Sequence, residues 1–241
     1  KFELKLCSMP MAWFLDLYCY LPEHHSTSSM DFSELRILLL RNGELAAVAD
    51  GPVFLLHDEG QRRCPEPPSD VRALHPEISA KLEPGSPARR FLLLMGLQPA
   101  LPQLVFDRVV LPQYSADTID SLDITVSTSH LLYLQRVLGI SRSEQDGDDS
   151  TPSGTHADPE FLDRCRQALR LHALPVAVKP ATPIDVLWKP AGQCYLDNPD
   201  LRALLHGTEN VWFVCKDYAE RGVSEELLKA LGAQAGPRME A

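Results

Sequence analysis

Twenty prolines in 241 residues are the tightest constraint on what this chain can become. Each proline fixes its own φ and removes a backbone donor, so the prolines argue against long uninterrupted helices and a regular helical array. Short elements joined by many turns are expected. With 44% hydrophobic residues the chain can still fill a real core, as one large domain or two small ones.

The elements follow from local pattern. "MAWFLDLYCYL" places Trp13, Leu17 and Tyr20 or Leu21 at helical spacing, and Pro22 is expected to end that helix. Asn42-Gly43 between two apolar runs is a hairpin signal, because both residues tolerate positive φ. With the Asp50-Gly51-Pro52 turn and a third apolar run after it, the segment reads as a small antiparallel meander. "VRAL" reads as a short strand, "HPEISAKL" as a short helix or turn, and "SPARRFLLLMG" as a helix with Ser86 as N-cap, Pro87 in its first turn and Gly96 closing it. "PQLVFDRVVLPQYS" is a strand or short helix, and "TSHLLYLQRVLG" an amphipathic helix. Asp158 and Pro159 open a helix with Phe161, Leu162, Cys165 and Leu169 on one face.

After that helix the same grammar returns. Aligning Gly51 with Gly192 pairs "PVFLLHDE" with "QCYLDNPD". Aligning Val71 with Val211 pairs "VRALHPEI" with "VWFVCKDY", and aligning Gly96 with Gly232 pairs "FLLLMG" with "LLKALG". Element order is kept throughout, so the expectation is an α+β chain of two related modules, each a small antiparallel sheet packed with short helices. The modules span 1–139 and 157–241, and 140–156 is an acidic disordered linker. Burial of Leu93, Leu94, Leu228 and Leu231 is the structural expectation.

Charge points the same way. The net charge is −10, and residues 141–160 hold six acids against one arginine. That segment cannot bury enough apolar surface to order itself. An acidic chain lacks the positive field that nonspecific nucleic-acid binding needs. No stretch reaches the ~20 apolar residues of a membrane span. Six cysteines without a CxxC pair read as reduced core residues of a cytoplasmic or nuclear protein. The first residues lack the pattern of a signal peptide and an initiator methionine, as in a piece of a longer chain.

No constellation announces catalysis. His24-His25 lack a partner at ligand spacing and read as a solvated loop. His75-Pro76-Glu77 and Asp217-Tyr218 read as element ends. Asp185 with Lys189 reads as a strand-to-loop segment, and Glu225 with Lys229 as an i,i+4 helix pair. GxSxG, GxGxxG and GxxxxGK[ST] are all missing. The acids from Glu144 to Asp149 lack the order of a calcium loop and read as a spacer. Trp188, Trp212, Phe213 and Tyr218 read as core of the second module. Accordingly no catalytic, cofactor-binding or metal-ligating residue is expected.

Taken together, "LRNGELAAVADGPVFLLHDE", "LHPEIS", "ARRFLLLMGLQP", "LVFDRVVLPQYS" and "HLLYL" resemble, in order, the region downstream of the ATPase-like domain in the sacsin and NO VEIN family of very large proteins. "VLWKPAGQCYLDNPDLRALL" and "NVWFVCKDYAERGVSEELLKALG" are similar to the next unit of such a region. The resemblance covers most of the chain except the linker, and it rests on spaced apolar residues and glycines. It implies long α+β regions that handle proteins or act as scaffold behind an ATPase. The family's ATP site needs a Glu/Asn helix and a D-x-G-x-G segment, and neither occurs here. The expected role is therefore a non-catalytic scaffold or protein-interaction segment of a chaperone-like ATPase protein, inside the cell. Its partner would be a protein client or a neighbouring ATPase domain. A degenerate metal-dependent hydrolase or nuclease is the alternative.

Overall fold

Prolines start helices here more than they break them. In the computed structural model, Pro76, Pro87, Pro102, Pro159 and Pro199 each stand at or near the first helical position, where a missing N–H costs no intrahelical bond. The structure describes residues 9–24, 32–56, 65–140, 159–175, 187–206, 208 and 210–236. The chain divides into two compact units, Lys1–Val109 and Val110–Ala241.

The first unit opens with α1 (Met11–His24), which continues through Pro22 rather than ending there. Its fully buried residues are Phe14 and Tyr18, one position on from the expected Trp13 and Leu17, and Tyr20 is exposed. α1 packs on α2 (Pro76–Lys81) and α3 (Pro87–Leu94). Phe14, Tyr18, Leu38, Leu74, Ile78 and Leu92 lie at the centre of this core. Truncating a side chain such as Phe14 there costs about 3 to 5 kcal/mol.

Strands β1 (Leu38–Leu39) and β2 (Leu45–Ala46) form the antiparallel hairpin around Gly43, whose φ is 81°. The expected meander ends at that hairpin. β3 (Phe54–Leu55) bridges Ala73 and pairs with β4 (Gln98–Pro99), both in parallel, while Leu74 bridges back to Leu40 in antiparallel. Laterally the order is β2, β1, the 73–74 segment, β3, β4.

The second unit repeats that order. β5 (Arg170–Pro175) lies between β6 (Leu187–Pro190) and β8 (Trp212–Val214), antiparallel to both. β8 pairs in parallel with β7 (Cys194–Tyr195), and Tyr195 bridges Gln234 in parallel. The correspondence extends to single residues. Leu40 meets Leu74 as Ala173 meets Val214, and Phe54 meets Ala73 and Gln98 as Tyr195 meets Phe213 and Gln234. His75 N–H donates to the Leu39 carbonyl at 2.9 Å, and Cys215 N–H to the His172 carbonyl at 2.9 Å. This is the register that the sequence matches propose. The sheets are mixed, not antiparallel, because the crossover segments carrying helices return the chain in the same direction.

Helix ends repeat as well. Ser86 Oγ accepts from Arg89 N–H, and Ser224 Oγ from Leu227 N–H, each at 3.2 Å. α3 and α10 (Glu225–Ala230) both close on a left-handed glycine, Gly96 with φ 107° and Gly232 with φ 111°. In each, the residue after the glycine bonds back across the last turn, Leu97 to Leu92 and Ala233 to Leu228.

The remaining helices of the second unit are α6 (Ile124–Val137), α7 (Pro159–Ala168), α8 (Pro199–Leu204) and α9 (Asp217–Glu220). Before them "PQLVFDRVVLPQYS" is helical: α4 (Pro102–Val105), a wide turn over Phe106–Val110 and α5 (Leu111–Gln113). α6 was expected in the first module, ending at 139, yet its polar groups bind the second unit. Ser127 Oγ lies 2.9 Å from Tyr218 Oη, Gln135 Oε1 accepts from Ser224 N–H at 2.8 Å, and Thr125 Oγ1 accepts from Arg221 at 2.9 Å. The expected linker lies almost wholly outside the described residues.

Candidate functional site

The densest gathering of chemistry-bearing side chains lies in the second unit, between β5 and the helices α6 and α9. α6 brings the buried Ser127, Thr128 and His130, α9 brings the fully buried Tyr218, and β5 brings His172. Tyr114 Oη donates to Ser127 Oγ at 3.2 Å, Ser127 Oγ meets Tyr218 Oη, and Tyr218 Oη accepts from His172 N–H at 3.2 Å. The Tyr114 ring also lies edge-on to Trp188, at 6.1 Å.

The ionisation states follow from burial. Burial pushes the Tyr218 hydroxyl up to about 12, against the bonds from His172 and Ser127 that lower it. It holds the His172 imidazole below its ordinary value, while the carboxylates of Asp123 and Asp217 pull the other way. The His172 ring stacks edge-on against Trp188, with centroids 3.8 Å apart. Asp123 caps α6 by accepting from Thr125 N–H at 2.6 Å, and bonds to Thr125 hold its carboxyl below the usual range.

This hydrogen-bonded chain supports backbone. In the first unit the same task falls to Tyr18: its hydroxyl donates to the Ile37 carbonyl at 2.8 Å and accepts from Leu39 N–H at 3.4 Å. Leu39 and His172 hold equivalent places in their sheets, so each unit satisfies one strand amide with a buried tyrosine. The two tyrosines come from different elements, and none of the three sequence matches pairs them.

No family model, curated protein or solved structure matches this chain.

The residues singled out in sequence behave as local structure. His75 Nδ1 accepts from Glu77 N–H at 3.4 Å and caps α2, and Asp217 begins α9. Lys229 reaches Glu225 at 3.2 Å, the expected i,i+4 pair. Lys189 instead sits 4.3 Å over the Trp212 ring. His24 is the last residue of α1, its ring 4.1 Å from that of Tyr20. His25, Asp185 and the acids Glu144 to Asp149 lie outside the described residues.

Of the aromatic group, Phe213 and Tyr218 are fully buried, while Trp188 and Trp212 are half-buried. Burial raises the thiols of Cys165 and Cys194 to about 12, leaving them protonated and unreactive at neutral pH. Cys215 is buried with them, whereas Cys19 is exposed, contrary to expectation. Among the described residues no group of three or more His, Cys, Asp or Glu side chains could hold a metal ion. None of the described helices is long and apolar enough to cross a membrane.

The leucines divide. Leu228 and Leu231 are buried as expected, at 4% and 2% exposure, but Leu93 and Leu94 are exposed at 41% and 73%. Phe91 and Leu92 face the core in their place. On a helix of eight residues that buries one narrow stripe, four consecutive apolar side chains cannot all face inward.

Proposed function

We propose that the chain is a non-catalytic scaffold or protein-interaction segment of a chaperone-like ATPase protein of the sacsin and NO VEIN type. The observation that supports this reading is the duplication: two units share one strand order, and their buried hydroxyls are spent on equivalent backbone amides. Repeating a module multiplies surface without assembling a reacting centre. Polar groups engaged with main chain are poor nucleophiles or bases, since substrate could reach them only by breaking the bonds that hold the sheet.

Calorimetric titration of the whole chain tests the reading, with a permanently unfolded apolar polypeptide in one series and Mg²⁺, Mn²⁺ or Zn²⁺ in another. Saturable binding of the polypeptide, with no stoichiometric metal uptake, is the expected result. Tight one-to-one metal binding that Asp217→Asn removes would overturn it in favour of a metal-dependent hydrolase or nuclease.

A further inference from the structure

α1 and α6 hold the same place in the two units. Each has 14 residues, and each packs on the same pair of helices in its own copy. α1 lies on α2 and α3, while α6 meets α9 through Ser127 and Tyr218 and the cap of α10 through Gln135 and Ser224. Aligning their first residues, Met11 with Ile124, sets Tyr20-Leu21 beside an identical pair, Tyr133-Leu134. The buried Phe14 and Tyr18 then stand beside the buried Ser127 and Leu131. A helical side chain leans toward the N-terminus of its helix, so the Tyr18 hydroxyl lies near the level of Phe14, the position of Ser127. From that level Tyr18 and the Ser127–Tyr218 pair serve equivalent strand amides.

In this register one stripe of the helix differs between the copies. On α6 the stripe holds His130 and Tyr133, both buried, Tyr133 at 1% exposure. The chain covers part of it with Tyr114, the residue after α5, itself buried. The Tyr114 ring lies 5.8 Å from that of His130, and its hydroxyl donates to Ser127 at 3.2 Å. On α1 the stripe holds Leu17, half-buried, and Tyr20, exposed at 53%. Tyr20 stacks on His24 one turn further along, with ring centroids 4.1 Å apart, so both rings share one face of the helix. The same tyrosine is core in one copy and surface in the other.

We propose that the outer stripe of α1, Leu17 with Tyr20, is a docking surface for a short apolar helical turn bearing an aromatic side chain, supplied by another protein. The occupant is identified by the second copy, where a turn of that kind, Leu111–Gln113 followed by Tyr114, lies on the equivalent stripe. One difference sets the chemistry of the incoming ring. Phe14 stands where α6 has Ser127, so a hydroxyl on that ring finds no acceptor and phenylalanine serves as well as tyrosine. The proposal rests on the interaction-segment reading and gives that reading a surface and a partner class.

The probe is a blocked peptide with the chain's own sequence LPQLVFDRVVLPQYS, residues 101–115, titrated into the isotopically labelled whole chain while backbone amide resonances are followed. The tethered segment holds α6 at high effective concentration, so the added peptide is left to α1. Saturating shifts are expected at Leu17 to Leu21. Tyr114→Ala in the peptide should weaken binding roughly tenfold, the scale of losing one anchoring aromatic side chain, whereas Tyr114→Phe in the peptide should bind no more weakly. Tyr20→Ser in the whole chain should abolish the response, and an unchanged thermal melt shows that the variant folds. Equal affinity of the alanine peptide, shifts at Ser127 to Leu134 in place of α1, or no shift at millimolar peptide would each overturn the proposal. Concentration-dependent self-association that Tyr20→Ser removes, without any peptide response, would assign the stripe to a second copy of this chain and overturn it as well. If the peptide gives no response while the whole chain still binds the unfolded polypeptide of the calorimetric test, this surface fails and the scaffold reading stands. Absence of polypeptide binding by the unmodified chain would mark the failure of that broader reading.

Discussion

A single hydroxyl decides whether one strand amide in each unit has a partner. Tyr218→Phe leaves His172 N–H without its acceptor, and Tyr18→Phe does the same to Leu39 N–H. Each should cost about 1 to 3 kcal/mol, the penalty for a buried unsatisfied donor, measured by chemical denaturation. Equal losses would support equivalent roles for tyrosines drawn from different elements. Protonation reads the same neighbourhood. Because burial holds His172 below its ordinary value of 6.5 in the fold, the unfolded chain takes up the proton first. Stability from this residue is complete above pH 6.5 and declines as pH falls through the folded value. His172→Gln should flatten that part of a stability-against-pH curve, and an unchanged slope would remove His172 as its source. Little of this was visible in the sequence. A tyrosine's reach to a distant amide has no local signature, and the face of α1 differs from expectation by one position because Trp13 and Phe14 are both apolar.

Caps and closing glycines were legible at the scale of the element, since a serine bonding three residues on and a glycine at positive φ are local events. Replacing Gly96 by alanine tests how strongly the motif constrains the chain. An added Cβ would sit 3.1 Å from Val48 Cγ1, on a backbone with φ of 107°. At Gly232 the nearest atoms are at 3.6 Å, with φ of 111°. Both substitutions pay for the left-handed backbone, about 1 kcal/mol or more, and Gly96→Ala should lower the melting temperature further because Val48 must also move. Strand direction was not legible. The parallel pairing of β3 with β4 is set by how two helices pack between them, and apolar alternation in a two-residue strand carries no record of it. Position along α3 decided the leucines in the same way. Leu94→Ser should leave stability within about 0.5 kcal/mol of the parent, whereas Leu228→Ala should cost about 2 to 5 kcal/mol.

The duplication is legible across the whole molecule because its register is carried by glycines and by buried strand residues, which cannot drift without breaking the sheet. Where one copy ends was not, since the acidic tract draws the eye to 140–156 while hydrogen bonds draw α6 into the second unit. Ser127 with Tyr218, Gln135 with Ser224 and Thr125 with Arg221 all join residues on opposite sides of that tract. Their arrangement makes a prediction about covalent continuity. A protease site inserted between Ser143 and Thr155 and then cleaved should yield two pieces that co-elute under native conditions, because the carboxy-terminal piece alone would uncover Tyr218 and lose the partner of Ser224 N–H. Unfolding of the second unit should then depend on protein concentration, as it does for any two-chain assembly. Separation into two pieces that each keep their fold would instead return α6 to the first module. The uncut chain avoids the concentration dependence because α6 and the rest of the second unit are covalently joined.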